Sequence, residues 1–135
     1  MIDKNFWKNK KVLITGHTGF KGFWMFLLLK ELGSNVYGLS IQKNSSEIYK
    51  TFSQYEKIEN EDFIDIRDSD KLANFIQDLK PDIIFHLAAQ SIVSSSFKRP
   101  LDTFQTNILG SANILESVRL NNSPYLIYVT SDKCY

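Results

Sequence analysis

Three glycines, Gly16, Gly19 and Gly22, stand at even spacing in the run Thr15-Gly-His-Thr-Gly-Phe-Lys-Gly22. The run follows a short β-branched segment, Lys11 to Thr15, and opens an apolar stretch, Phe20 to Leu32, that reads as a helix closed by Gly33. In that setting each glycine has a physical use. The first permits a tight turn from strand to helix, the second lets backbone N–H groups approach a diphosphate, and the third lets helix and strand pack closely. The start of the helix adds favourable partial positive charge. The loop residues Gly16, Thr18, Gly19, Phe20, Lys21 and Gly22 are therefore assigned to dinucleotide binding. For His17 and Lys21 the plainer reading is a solvated loop residue, with Lys21 beside a phosphate as the alternative.

Further along lie the groups that would receive the rest of such a ligand. A dinucleotide fold usually carries Asp or Glu about 20 residues on, at the end of the second strand; here that place reads Gly38-Leu-Ser40, with no acid. Ser40 can bond a ribose hydroxyl and Lys43 can tolerate a 2′-phosphate, so spacing alone leaves NAD and NADP both open. After the third strand, Asp65 can accept from an adenine amino group while Ile66 packs on the ring, and Asp68 reads as a helix cap. After the fourth strand, Leu87, Ala88, Ala89 and Gln90 form a candidate cofactor wall whose small residues let the backbone pass close to a bulky group. His86, on an apolar strand, reads as a buried structural residue rather than a catalyst, and Asn107 as a structural group bonding backbone across to the sheet. Of Ser94, Ser95 and Ser96, only Ser96 is a candidate substrate contact, and no metal site is read.

These residues need a frame, and the chain alternates two kinds of segment to make one. Lys11–Thr15, Asn35–Leu39, Asp62–Asp65, Asp82–Leu87 and Tyr125–Thr130 are short and rich in β-branched and aromatic residues, several of them continuously apolar, as expected of parallel strands buried on both faces. Between them, Leu72, Phe75, Ile76 and Leu79 fall at helical spacing before Pro81, and Leu101, Phe104, Ile108, Ala112 and Leu115 form one stripe of a helix that Pro100 can start. The polar segment Ile41 to Asn60, weakly patterned by Ile48, Phe52 and Tyr55, is expected to be a loop with a short helix. The alternation argues an α/β fold: an open, doubly wound parallel sheet in the order 3-2-1-4-5, stopping before a sixth strand. Tyr125 to Val129 would then be an incompletely covered edge, and self-association is expected.

Composition sets the outer bounds. The 135 residues suit one domain, with 43% apolar and 23% charged residues excluding a disordered chain. A net charge of +1 is too small to gather nucleic acid or an anionic membrane, so neither is an expected partner. The longest apolar run, Phe23 to Leu29, falls far short of the ~20 residues that cross a bilayer. The lone cysteine, Cys134, has no partner for a disulfide, and a cytoplasmic, soluble protein is expected.

Taken together, the GHTGFKG loop, Asp65-Ile-Arg67, His86-Leu-Ala-Ala-Gln90, Thr106-Asn-Ile-Leu-Gly110 and Thr130-Ser-Asp-Lys-Cys-Tyr135 resemble the extended short-chain dehydrogenase/reductase family. Within it the likeness is to the CDP-glucose branch of the nucleotide-sugar 4,6-dehydratases. The resemblance implies a Rossmann-type fold, bound NAD with NADP not excluded, a nucleotide-sugar substrate and a homo-oligomer. It implies an internal redox cycle: oxidation at C4 of glucose, elimination of water across C5 and C6, and return of hydride to C6. It also implies roles for a trio after the fifth strand: Ser131 on the C4 hydroxyl, Asp132 as acid at the C6 hydroxyl and Lys133 as base at C5. Lysine in place of the glutamate found in relatives is what points to the CDP-glucose branch. The family's Tyr-x-x-x-Lys pair would lie after residue 135. Residues 1–135 are thus expected to be the N-terminal portion of an NAD(P)-binding domain, separate from a substrate domain and inactive alone. Other readings are a different sugar-nucleotide epimerase or dehydratase, or a non-catalytic dinucleotide-binding module.

Overall fold

Val12, Leu13 and Ile14 have no exposed surface because the strand that carries them, β1 (Lys11–Thr15), runs through the middle of a sheet covered on both faces. The computed structural model describes residues 2–41, 46–54, 59–121 and 124–130. On one side of β1 lies β2 (Asn35–Ser40) and beyond it β3 (Glu61–Phe63); on the other lie β4 (Ile83–His86) and β5 (Tyr125–Tyr128). All pairs are parallel, in the order β3-β2-β1-β4-β5, as the alternation of segments predicts. Val12 sits opposite Val36 on one side and Ile83 on the other.

The alternation of side chains along the strands divides the core into two. Val12, Ile14, Ile83 and Phe85 pack with Phe23, Phe26 and Leu29 of α2 (Phe20–Glu31) and with Tyr49 of α3 (Glu47–Ser53). Leu13, Leu39 and Ile84 pack with Leu72 and Ile76 of α4 (Ser69–Leu79) and Ile114 of α7 (Ser111–Leu120). The helix ends follow local chemistry. The Asp68 carboxylate accepts from the Lys71 N–H at the start of α4, and Gly33, at φ +84°, takes the left-handed turn after α2.

Four features depart from the sequence reading. Short helices α1 (Lys4–Trp7) and α5 (Val93–Lys98) were not anticipated. β3 ends at Phe63, so Asp65 stands in the turn beyond it rather than in the strand. The helix begun by Pro100 is not uniform: α6 (Pro100–Phe104) runs into a π-helical segment, Gln105–Gly110, and then into α7. Finally, its apolar stripe faces outward, with Leu101 74%, Phe104 60% and Ile108 55% exposed. The face laid on the sheet instead carries Gly110, Ser111, Ile114 and Ser117. Small residues let the backbone approach closely: a Cβ on Gly110 would fall 2.7 Å from the Ile66 side chain. The extra residue in the π turn sets which face that is.

A buried polar chain ties the strand ends together. Thr15 Oγ1 lies 2.6 Å from His86 Nδ1, His86 Nε2 lies 3.2 Å from Ser111 Oγ, and the Tyr128 hydroxyl donates to the same Ser111 oxygen at 2.8 Å. β1, β4, α7 and β5 meet in it. The structural reading of His86 holds, and burial lowers its pKa to about 4. In the unfolded chain this imidazole takes up a proton near its ordinary value of 6.5, whereas the folded one does so only near 4. Protons therefore favour unfolding across that window, and stability falls as pH drops from 6.5 toward 4, by about 3 kcal/mol at the lower end. Urea unfolding at neutral pH and near pH 4 should show this loss, and a His86→Gln chain should show an acid loss smaller by roughly that amount.

Candidate functional site

Thr15 and His86 end neighbouring strands, and the chain leaves them in opposite directions, β1 toward β2 and β4 toward β5. In an open α/β sheet such a divergence leaves a crevice beyond the carboxyl ends of the strands. Gly16, at φ +78°, turns the chain there. Its N–H donates to the Leu39 carbonyl at 2.7 Å, and a Cβ on it would fall 2.8 Å from the Ala88 nitrogen. The Leu87 and Ala88 N–H groups donate to the Thr15 carbonyl and hydroxyl at 3.1 and 3.3 Å. The two loops therefore run backbone against backbone. Gly22 closes the corner: a Cβ on it would collide with the Gly16 carbonyl oxygen.

Gly19 stands differently. It is the N-cap of α2 with no side chain to cap it, and a Cβ on it would meet only the Gly16 oxygen, at 3.2 Å. The N–H groups of the first helical turn lack intrahelical partners, so the corner offers them to a ligand under the helix dipole. That opening suits the diphosphate of a dinucleotide. Phe20 and Lys21 are exposed on the same turn, where with Trp24, Met25, Leu28, Leu87 and Val129 they line an apolar groove of about 470 Å³.

The other expected contacts fall around this corner with differing freedom. Thr18 and Ser40 are both buried and their hydroxyls bond each other at 2.7 Å. The Asp65 carboxylate grips the Arg67 guanidinium at 2.6 and 3.0 Å, which holds its pKa below the usual carboxylate value and keeps it charged. Ile66 is 5% exposed, seated against Gly110, and its carbonyl accepts from the Asn113 amide at 2.9 Å. Ala88 is half-buried and Ala89 exposed along the wall after β4. Gln90 is clamped: its N–H donates to the Asn107 side-chain oxygen at 2.8 Å, and the Asn107 amide donates back to its carbonyl at 2.9 Å. Asn107 therefore acts on backbone across to the sheet, from within the π segment. The Ser96 hydroxyl donates to the Val93 carbonyl of its own helix at 2.6 Å. Lys43, Cys134 and the trio Ser131, Asp132 and Lys133 lie outside the described residues.

His17 is the main correction. It is not a solvated loop residue: its ring is fully buried, because Gly38 of β2 leaves the space a side chain would take. Its Nε2 lies 2.9 Å from a Glu61 carboxylate oxygen that also accepts from the Tyr49 hydroxyl at 2.8 Å. Burial and then the bond to Glu61 raise the Tyr49 pKa, so that hydroxyl stays protonated. Among the described residues His17 Nδ1 has no partner, a cost of about 1–3 kcal/mol for a buried polar atom. Glu61, Tyr49 and Gly38 were missed by sequence reasoning. Only Gly38 carried a signal, since a glycine inside a strand marks a close approach. Among the described residues no group of three metal-ligating side chains occurs, and no helix is long and apolar enough to cross a membrane.

The two helix-corner glycines should behave differently on substitution. Gly22→Ala is expected to destabilise the chain by at least about 3 kcal/mol, because the clash is with backbone that cannot move aside. Gly19→Ala is expected to cost about 1 kcal/mol or less. Denaturant unfolding of the two variants checks the difference.

Similarity to known proteins follows the same lines. The chain is 42% identical over its whole length to CDP-glucose 4,6-dehydratase of Salmonella typhimurium, of which it spans 38%. Among solved structures it resembles the epimerase Mth375 of Methanothermobacter thermautotrophicus (29% identity, TM-score 0.80, 96% of this chain and 37% of that one). It also resembles the UDP-glucose 4-epimerase of Stenotrophomonas maltophila with bound NAD and formylated UDP-arabinopyranose (28% identity, TM-score 0.77, 92% and 38%). The chain thus spans well under half the length of these relatives. The family model for GDP-mannose 4,6 dehydratase matches residues 13–135 and so reaches every strand of the sheet. On that match the chain belongs to the GDP-mannose 4,6 dehydratase family.

Proposed function

We propose that this chain is the dinucleotide-binding part of a nucleotide-sugar 4,6-dehydratase that binds NAD and acts on CDP-glucose. The observation that carries the reading is the corner at Gly19, where α2 begins with no side-chain cap and, among the described residues, a Cβ would meet only the Gly16 carbonyl oxygen. Identity of 42% to a CDP-glucose 4,6-dehydratase supports the sugar nucleotide, and the NAD in a solved relative supports the cofactor.

On this reading the backbone from Gly16 to Gly22 holds the diphosphate, and the small side chains of Ala88 and Ala89 let the cofactor lie against the end of β4. Asp65, kept charged by Arg67, has its oxygens turned to that partner, and it would serve the adenine amino group with whatever acceptor capacity remains. Lys21 is exposed near the phosphates. Bound NAD supplies the acceptor for the C4 hydride and its donor for C6. Ser131 bonds the C4 hydroxyl, whose proton passes to the tyrosine of the family's Tyr-x-x-x-Lys pair; Asp132 gives a proton to the departing C6 hydroxyl, and Lys133 takes the proton from C5 and returns it there as hydride reaches C6, leaving a 4-keto-6-deoxy sugar nucleotide. A lysine at its ordinary pKa of about 10.4 is a poor base at neutral pH, so Lys133 needs burial or a neighbouring cation to work. NADP remains the alternative at the ribose, because no acid stands at the end of β2.

Calorimetric titration with NAD and NADP tests the cofactor. Saturable binding is expected, weakened at least about tenfold by Gly19→Leu, whose side chain would occupy the diphosphate space. Unchanged affinity in that variant would remove the corner from the binding site. For the reaction, the full-length protein should convert CDP-glucose to a product with the ketone absorbance in alkali. Turnover without a ketone product would favour an epimerase.

A further inference from the structure

His17 belongs to the phosphate loop by its backbone and to the platform beneath the loop by its side chain. Its neighbours in sequence are both fixed: Gly16 is wedged against the Ala88 backbone, and the Thr18 carbonyl accepts from the Ser46 N–H at 2.7 Å, at the N-cap of α3. Between them the imidazole packs against Gly38 of β2, a strand paired with β1 on one side and β3 on the other. A Cβ on Gly38 would fall 2.5 Å from its Cδ2 and 2.7 Å from its Nδ1, so only glycine at position 38 admits the ring. The rings of Phe26, Tyr49 and Phe63 surround it with centroids 6.0, 5.8 and 6.2 Å away. At the bottom the Glu61 carboxylate oxygen that lies against Nε2 also accepts from the Tyr49 hydroxyl. Among the described residues its Nδ1 finds no hydrogen-bond partner. A residue that merely filled space would avoid that unpaired nitrogen.

We propose that His17, seated in the socket left by Gly38 and held by Glu61, is a positioning residue that fixes the shape of the loop presenting its amides to the diphosphate. The proposal rests on the dinucleotide reading above and deepens it. α3 and β3 reach the loop through this side chain, and the N-cap of α3 reaches it also through the Ser46 to Thr18 bond. A loop held in one shape before the ligand arrives loses less freedom on binding.

The test is a double-variant cycle on the 135-residue chain, comparing Gly38→Ala, His17→Ala and the two together. Two readouts are taken: NAD affinity by calorimetry on the folded protein, and amide hydrogen exchange of residues 18–22 without NAD. Gly38→Ala, with the ring still present, should weaken NAD by about tenfold and speed exchange in the loop. In the double variant the clash has no partner, and both readouts should return to those of His17→Ala, which alone should speed loop exchange. Equal damage from Gly38→Ala with and without the ring, or a His17→Ala loop that exchanges as slowly as the original, overturns the proposal. Should Gly38→Ala fail to fold, folding of the double variant supports the socket and its failure overturns it. Absence of NAD binding by the unaltered chain overturns the dinucleotide reading, while the exchange rates decide the anchor by themselves.

Discussion

At the end of β1 three stretches of backbone meet with no room for a single added carbon. Gly16 faces the Ala88 nitrogen, and Gly22 faces the Gly16 carbonyl. Because these contacts are main chain on main chain, they cannot be relieved by a change of rotamer, and they set the angle at which α2 leaves the sheet. From that angle follow the direction of the helix start, the contact of Phe23 and Phe26 with Val12 and Ile14, and the side-by-side placing of β1 and β4. The corner is a steric constraint first and a binding feature second. The amides of the first turn after Gly19 are left without intrahelical partners, while the Gly19 N–H itself donates to the Gly16 carbonyl at 3.0 Å.

Those glycines were legible in the sequence because a glycine's role is written in its identity: no other residue fits a contact closer than a Cβ allows. The strands were legible for a similar reason, since Val12, Leu13 and Ile14 could be buried on both faces only in the middle of a parallel sheet. His17 was not. Its side chain reports on what lies beneath the loop, and the residues that make its pocket, Gly38, Glu61 and Tyr49, come from three separate elements. The helix after Pro100 misled for another reason. Periodicity finds the more apolar face, but the sheet accepted the face with the smaller residues, and the apolar one was left outside.

The described residues divide the work of the site unevenly. They provide grip: open amides, a charged Asp65, a wall after β4 clamped by Asn107. Two of their buried or partly buried titratable groups are already engaged. His86 is neutral and engaged with Thr15 and Ser111, and the Tyr49 hydroxyl is engaged with Glu61. This fits a chain that matches only 38% of a dehydratase whose length is far greater. Binding geometry is concentrated here, and the chemistry proposed for it begins at Ser131.

The π-helical turn from Gln105 to Gly110 carries a consequence of its own. Each residue of a helix advances its neighbours by about 100° around the axis, so the one surplus residue in this turn works as a fixed rotation of everything after it. Take it out, and Ser111, Ile114 and Ser117 would swing away from the strands while a greasier flank turned toward them. Asn113 would lose its reach to Ile66 in the same movement. The segment is in effect a dial, set by one amino acid, that chooses which side of the molecule meets the world.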